Sequence, residues 1–394
     1  MPTDEEKCDL QNPCGHCEET WGNSKWFHVP CIRLNLHDIV TYRPGNARAN
    51  QKRSTLPSLL WSLDFPQKRN ISIAQDFLNV KRKDLPTFEL ECRRFVPRSS
   101  DTLYEPYEEH DGGAILIETP PYACSNATSS NTQSAFAGYL KKCEELAIED
   151  LLEQIEDELL ETTFFEVRRF ASLHKESCVQ QALQILAKVH IAKKQPLIVS
   201  EDTLDMGCIR SNKTEMNGKV PVPSVLDYQL DTLLMESCER DMDKVVTSLK
   251  SMMMVSRRKN WYEVFLTMVT LMYALEQVYN AQVRYNRKTE KAGAYFFTDV
   301  HNVSMYMMSQ WRQSAKNLIY HFRVVIVGML PFSERVAFSA SAVSRMDSSA
   351  LAYVNKMRTM LQDRRDEINK LCKNDLDNEQ GRPLFWIAQL LVNT

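Results

Sequence analysis

The stretch from residue 260 to residue 276 reads NWYEVFLTMVTLMYALE, and it decides the fold class of the chain. Its strongly apolar centre, residues 264–275, is much shorter than the roughly 20 residues that span a bilayer, and Glu263 and Glu276 flank it. Neither Gly nor Pro interrupts the surrounding region, residues 224–292. Because Gly and Pro are the residues that most often end helices, this region predicts long, packed helices and no membrane span.

Apolar residues at spacings of three and four extend the helical pattern to both sides. The pattern starts near residue 135, where leucines and isoleucines recur among acidic residues. That acidic surface is interpreted as the solvated face of a packed helix, with an activation surface as the alternative. Further helices are predicted at roughly 163–193, 224–256, 260–285, 297–328, 332–343, 347–372 and 382–392. The sequence therefore predicts an α-helical regulatory domain over residues 135–394.

Residues 59–124 follow a different pattern. Ile71 and Ile73 alternate with polar neighbours, and so do Phe88, Leu90 and Cys92. Alternation with a period of two is typical of half-buried strands, so a small segment with short strands is predicted here. Two polar stretches, residues 43–58 and 125–134, are predicted to be linkers. The predicted fold class is mainly α, with a small partly β segment before the helices.

Net charge and cysteine content indicate which partners and which redox compartment to expect. The 394 residues carry a formal net charge of -3, so overall charge does not indicate a polyanionic partner. Eleven cysteines, an odd number without a signal peptide, favour a reducing compartment. In such a compartment clustered thiols bind metal, and scattered thiols pack as small apolar side chains.

A cluster of possible metal ligands lies near the N-terminus, where four cysteines and two histidines fall within residues 8–31. Zinc prefers four thiolate or imidazole ligands in a tetrahedron, and Cys14 and Cys17 form a C-x2-C pair that supplies two of them from one turn. Cys31 is the third predicted ligand. Cys8 and His28 compete for the fourth position, because one tetrahedral ion cannot bind both. The sequence therefore predicts a zinc site in residues 1–42.

The sequence around these cysteines resembles the second half of the fungal six-cysteine binuclear zinc cluster. The resemblance rests on Asp9 after Cys8, Pro13 before Cys14, the C-x2-C pair, and CIR at residues 31–33 followed by Leu36, Asp38 and Tyr42-Arg43. Further landmarks resemble the regulatory regions of those transcription factors: FVP at 95–97, ETPPYA at 118–123, VP at 222–223, DYQL at 227–230 and NW at 260–261. By position, the resemblance implies that Cys8, Cys14, Cys17 and Cys31 are the last four of six ligands, which favours Cys8 over His28.

The first half of that cluster is absent from this sequence. In the family, the first three cysteines lie in a basic segment that enters the DNA major groove, whereas residues 1–7 here read MPTDEEK. Without the missing bridging thiolate a two-ion cluster cannot close, so we expect at most one zinc. Lys and Arg in the N-terminal stretch are nearly balanced by Asp and Glu, whereas DNA-binding modules concentrate positive charge. We therefore expect a truncated or alternatively started member with weak or no DNA binding of its own.

These features predict a zinc-containing fungal transcriptional regulator that acts in the nucleus. The predicted partners are DNA in a full-length form, a second copy of the chain or other transcription regulators, and an effector of unknown chemistry. A regulatory adaptor that works through protein contacts is the alternative. A histone-tail reader ranks lower; it is considered because WFH at residues 26–28 with Cys31 resembles part of a plant homeodomain finger. No phosphate loop, dinucleotide-binding fingerprint, nucleophile elbow or zinc-protease motif occurs, so no enzyme is predicted.

Overall fold

The computed structural model describes residues 35–42, 58–77, 80–81, 84–99, 101–254, 257–291, 298–326, 332, 346–373 and 384–391. Residues 1–34, nearly all of the linker predicted at 43–58 and almost all of the helix predicted at 332–343 lie outside these ranges. Within them the chain is mainly α, which confirms the fold class predicted from the sequence.

Six short strands form two sheets in the described part of the chain. They are β1 (Arg69–Gln75), β2 (Phe88–Arg94), β3 (Tyr104–Glu108), β4 (Ala114–Glu118), β5 (Tyr122–Cys124) and β6 (Pro196–Ile198). The larger sheet has the order β5-β2-β1-β6 with antiparallel pairing throughout, and β3 and β4 form a separate hairpin. The alternation in β1 and β2 places Ile71, Ile73, Phe88, Leu90 and Cys92 in the core. Strand β6 comes from the helical region of the chain and pairs with β1, so the larger sheet combines strands from both regions.

Nine helices carry most of the core in the residues described. They are α1 (Ser130–Leu152), α2 (Glu158–Leu173), α3 (Cys178–Lys193), α4 (Ser224–Met254), α5 (Arg257–Lys291), α6 (Thr298–Val325), α7 (Ser348–Asp363), α8 (Arg365–Lys373) and α9 (Ala388–Leu391). Helix α3 packs against α1, α2, α4 and α5 and is therefore the centre of the bundle. Every residue from 264 to 275 on α5 is buried. None of the described helices is long and apolar enough to cross a membrane.

The predicted single helix over residues 163–193 is wrong, because the chain breaks there into α2 and α3. Backbone angles at His174 (φ -125, ψ 72) are not helical, and the Ser177 side chain accepts a hydrogen bond from the Gln180 N–H to start α3. The apolar spacing continues across this break, so periodicity alone does not reveal it. Helix α1 likewise begins inside the stretch predicted as a polar linker, because Ser129 caps it at the Thr132 N–H.

Sequence landmarks that are far apart in the chain meet where β5 contacts α4. The Gln229 amide accepts a hydrogen bond from the Cys124 N–H (2.7 Å) and donates one to the Cys124 carbonyl (3.2 Å). The hydroxyls of Ser224 and Thr119 lie 2.9 Å apart in the same buried junction. Phe95, from the FVP landmark, packs beside them. Through these contacts, the ETPPYA and DYQL segments join the sheet to the helices.

Candidate functional site

The zinc ligands predicted from the sequence, Cys8, Cys14, Cys17 and Cys31, and the alternative ligand His28 lie outside the described residues. The zinc site stays a prediction that rests on donor chemistry, since four thiolates suit one tetrahedral ion. In the ranges that the structure describes, no group of three or more His, Cys, Asp and Glu side chains is arranged to hold a metal.

Most of the scattered cysteines of the body have the packing role predicted for them. Five of them, Cys92, Cys124, Cys143, Cys178 and Cys238, are buried as free thiols, Cys372 is half-buried and Cys208 is exposed. Burial raises the pKa of the Cys124 thiol to about 11, so this side chain is protonated at neutral pH. A buried neutral thiol behaves as a small apolar group.

An open cleft of about 580 Å³ lies between the turn that joins α2 to α3 and the first turns of α5. Its lining combines aromatic rings with side chains of both charges. The lining residues are Phe170, His174, Lys175, Glu176 and Ser177 from the turn, Lys259, Asn260, Tyr262 and Glu263 from α5, and Met346 before α7. The cleft therefore lies at the helix break that sequence periodicity does not show.

Hydrogen bonds hold the α2–α3 turn against α5. The His174 N–H still donates to the Phe170 carbonyl (3.0 Å), although α2 has ended at Leu173. At the start of α3, the Cys178 N–H donates to the Glu263 carboxylate (3.1 Å). A carboxylate near the first N–H groups of a helix is stabilised by the helix dipole and satisfies a donor that has no partner within the helix. The cleft wall is thus fixed by contacts between elements that are far apart in the sequence.

A charged cluster adjoins the cleft and joins three helices. Arg169 on α2 forms a bidentate ion pair with Glu166 (both N–O distances 2.7 Å) and a second one with Asp347 (2.7 and 3.0 Å). The Tyr262 hydroxyl on α5 donates to Glu166, and Asp347 caps α7 at the Ala350 N–H (2.7 Å). The Arg169 guanidinium holds the pKa of Asp347 below its usual range. Helices α2, α5 and α7 are therefore linked through one nearly buried carboxylate and one arginine.

The lining of the cleft combines charged side chains with aromatic rings. Lys175 and Lys259 supply positive charge, and Phe170 and Tyr262 supply aromatic surface. The His174 ring packs on the Phe170 ring with 4.6 Å between centroids. Seven of the ten lining residues are polar or charged, whereas small-molecule sites are lined mostly by apolar side chains. The cleft is therefore an open and mainly polar surface beside the charged cluster.

A second polar cluster is sealed inside the helical core. His190 Nε2 lies 2.6 Å from Asp150 Oδ2, and the Lys194 ammonium lies 2.8 Å from the same oxygen. His190 and Asp150 are both fully buried, and burial lowers the pKa of His190 to about 4, so its imidazole is neutral at pH 7. These residue types also occur in catalytic pairs, but here no surface is open to a substrate. The cluster is an internal polar contact between α1 and α3.

The residues of the charged cluster were not identified by sequence reasoning. Glu166 and Arg169 are three positions apart on a helix, which is a visible signal for an ion pair. Their other partners, Tyr262 and Asp347, are 96 and 178 positions away, and no local pattern points to them. Only the folded chain brings the four side chains together.

Comparison with known proteins identifies the chain's relatives. The model of the family described as "KpeA transcription factor" matches residues 68–390, from the strand region to α9. The chain is 28% identical over 401 residues to the "Satratoxin biosynthesis SC3 cluster transcription factor SAT20" of Stachybotrys chartarum, an alignment that covers 98% of this chain and 54% of that protein. The chain thus spans about half the length of this curated relative. No solved structure matches this chain. Because the family match includes both the sheet and the helical body, the chain belongs to the KpeA transcription factor family.

Proposed function

We propose that the protein is a fungal transcriptional regulator of the zinc-cluster type that controls biosynthetic genes. The family match over residues 68–390 carries this proposal, because the family and the relative are both transcription factors. The relative is named as the transcription factor of a biosynthetic gene cluster, which supports the same class of target here. Membership of such a family favours regulation over catalysis and a nuclear site of action.

The N-terminal cysteines supply the zinc part of the proposal. Cys8, Cys14, Cys17 and Cys31 would hold one ion, with His28 as the alternative to Cys8. When bound, zinc would stabilise the segment that carries these cysteines. The sequence has four of the six thiolates of the fungal cluster, so we propose one ion per chain and weak DNA binding by this chain alone.

A regulatory adaptor that acts through protein contacts is the second candidate function. Leu60, Phe65 and Val96 are apolar side chains near the end of β2, and each is about half exposed or more. The Val96 N–H donates to the Leu60 carbonyl (2.8 Å), and the Arg94 guanidinium lies 4.5 Å from the centroid of the Phe65 ring. Adjacent exposed apolar side chains are typical of surfaces that contact other proteins. This surface favours partners such as other transcription regulators.

Zinc content tests the metal proposal. We expect one zinc per full chain by elemental analysis, and its loss in the Cys14→Ser, Cys17→Ser double variant. Cys208→Ser is the matched control, because Cys208 is an exposed cysteine of the body, and it should leave the zinc content unchanged. Two tightly bound ions per chain, or one ion that survives the double substitution, would contradict the proposed ligand set.

A salt series with duplex DNA tests the weak DNA binding proposed for this chain. A chain that contacts many phosphates loses affinity steeply with salt, by about 10³-fold or more between 50 and 200 mM when six or more phosphates are contacted. We expect weak binding with a shallow salt dependence. A steep dependence would show a cationic surface and would contradict weak DNA binding by this chain alone.

A further inference from the structure

Residues 35–42, here called the strap, lie against the helical body although they directly follow the cysteine-rich stretch. The strap opens with a short 3-10 helix, Leu36–Asp38. Asn35 caps this turn, accepting a hydrogen bond from the His37 N–H (3.1 Å), while the Asp38 carboxylate accepts one from the Asn35 N–H (3.3 Å). This reciprocal cap gives the chain a defined direction where it meets the body.

Apolar side chains of the strap are buried between α4 and α6. Leu36 and Ile39 are each 4% exposed, and Tyr42 is 7% exposed. The Tyr42 hydroxyl also reaches the Glu239 carboxylate on α4 (3.4 Å). Burial of these apolar side chains stabilises the contact through the hydrophobic effect. The strap is therefore part of the body's core and not a solvated tail.

A row of polar side chains on α6 binds the main chain of the strap. Trp311, Ser314 and Asn317 are spaced three residues apart, so they lie along one side of the helix, and each is at most 2% exposed. The Trp311 indole donates to the Tyr42 carbonyl (3.1 Å), the Val40 N–H donates to the Ser314 hydroxyl (3.0 Å), and the Asn317 amide donates to the Asn35 carbonyl (2.7 Å). Buried polar side chains of this kind are costly unless paired. Their partners here are backbone groups at both ends of the strap.

We propose that the strap anchors the cysteine-rich stretch to α4 and α6, so that the helical body sets the position of that stretch. Three residues separate Cys31 from Asn35. The length of the chain alone then keeps the two Cα atoms within about 14 Å of each other.

Amide hydrogen exchange of the full chain tests the anchor. We expect residues 35–42 to be protected in the wild type and to exchange at least about tenfold faster in Asn317→Ala, while protection of α3 is retained. Ile39→Ser changes the strap itself and should release the same residues without altering the body. His37→Ser is the control, because His37 lies on the exposed side of the strap and should leave the exchange nearly unchanged.

Two results would overturn the anchor. One is exchange of residues 35–42 in the wild type at the rate of an unstructured peptide. The other is unchanged protection in both Asn317→Ala and Ile39→Ser. If Asn317→Ala also loses protection in α3, that variant disturbs the helical body, and the exchange of residues 35–42 in Ile39→Ser alone tests the anchor. None of these readouts depends on zinc or DNA, so failure of the anchor is distinguishable from failure of the proposed function.

Discussion

Arg169→Leu lowers the free energy of unfolding by about 3–5 kcal/mol, the cost of leaving a buried charge without its partner. The Glu166 side chain is 5% exposed and receives two hydrogen bonds from Arg169. The leucine variant leaves this carboxylate with the Tyr262 hydroxyl as its remaining described partner, and it removes the ion pair to Asp347 at the start of α7. Urea unfolding followed by tryptophan fluorescence measures the loss.

The adjacent arginine provides a matched control for that experiment. Arg168 also forms ion pairs across helices, but its partners Glu145 and Glu149 have side chains that are 70% and 52% exposed. Ion pairs between solvated side chains contribute about 0–1 kcal/mol, so Arg168→Leu should have a small effect. Equal losses in the two variants would contradict the role assigned to the buried cluster.

Glu276→Gln changes how stability depends on pH, because Glu276 is a fully buried carboxylate on α5. Its Oε1 accepts hydrogen bonds from the N–H groups of Trp386 (2.7 Å) and Ile387 (3.0 Å), in the turn that leads into α9. Burial raises the pKa of Glu276 to about 7, and the backbone hydrogen bonds only partly oppose that rise. The glutamine variant keeps an oxygen that accepts both hydrogen bonds but carries no charge.

The direction in which stability changes with pH follows from proton binding in the folded and unfolded states. Between pH 4.5 and 7 the folded wild type holds this proton while the unfolded chain has lost it, so the free energy of unfolding falls as pH rises through that window. The rise in the pKa of Glu276 from 4.5 to about 7 corresponds to about 3 kcal/mol in the free energy of unfolding. We therefore expect the stability of Glu276→Gln relative to the wild type to increase by up to about 3 kcal/mol from pH 4.5 to pH 8.

Urea unfolding of both proteins at several pH values between 4.5 and 8 measures this difference. Glu290→Gln, an exposed position on the same helix, is the control and should follow the wild-type pH dependence. Parallel stability curves for Glu276→Gln and the wild type would contradict the assignment of a buried, protonated carboxyl at this position.

Local patterns in the sequence were sufficient for the fold class and for several elements. The apolar spacing around residues 264–275 identified a core helix, and the alternation at Ile71 and Ile73 identified a strand. Helix boundaries that depend on capping hydrogen bonds were harder to predict from the sequence. Ser177 begins α3 inside a continuous apolar pattern, and only its hydrogen bond to the Gln180 N–H shows that the helix starts again there.

The candidate site was less accessible from sequence than the fold, for a physical reason. The cleft and its charged cluster depend on pairings between α2, α5 and the start of α7, and such pairings leave no periodic signal. Arg169 and Asp347 are ordinary charged residues until the fold places them 2.7 Å apart. The zinc site, in contrast, is predicted from local sequence alone, because the spacing of the cysteines indicates zinc ligands. It remains a prediction about residues 1–34.

Transcript measurements test the central claim, regulation of biosynthetic genes, most directly. RNA sequencing would compare the fungus that encodes the protein, a strain without the gene, and strains restored with the wild type or with the Cys14→Ser, Cys17→Ser variant. We expect a coordinated change in a set of biosynthetic genes on deletion, recovery with the wild type, and reduced recovery with the cysteine variant. Unchanged biosynthetic transcripts in the deletion strain, under conditions in which the protein is expressed, would contradict the claim.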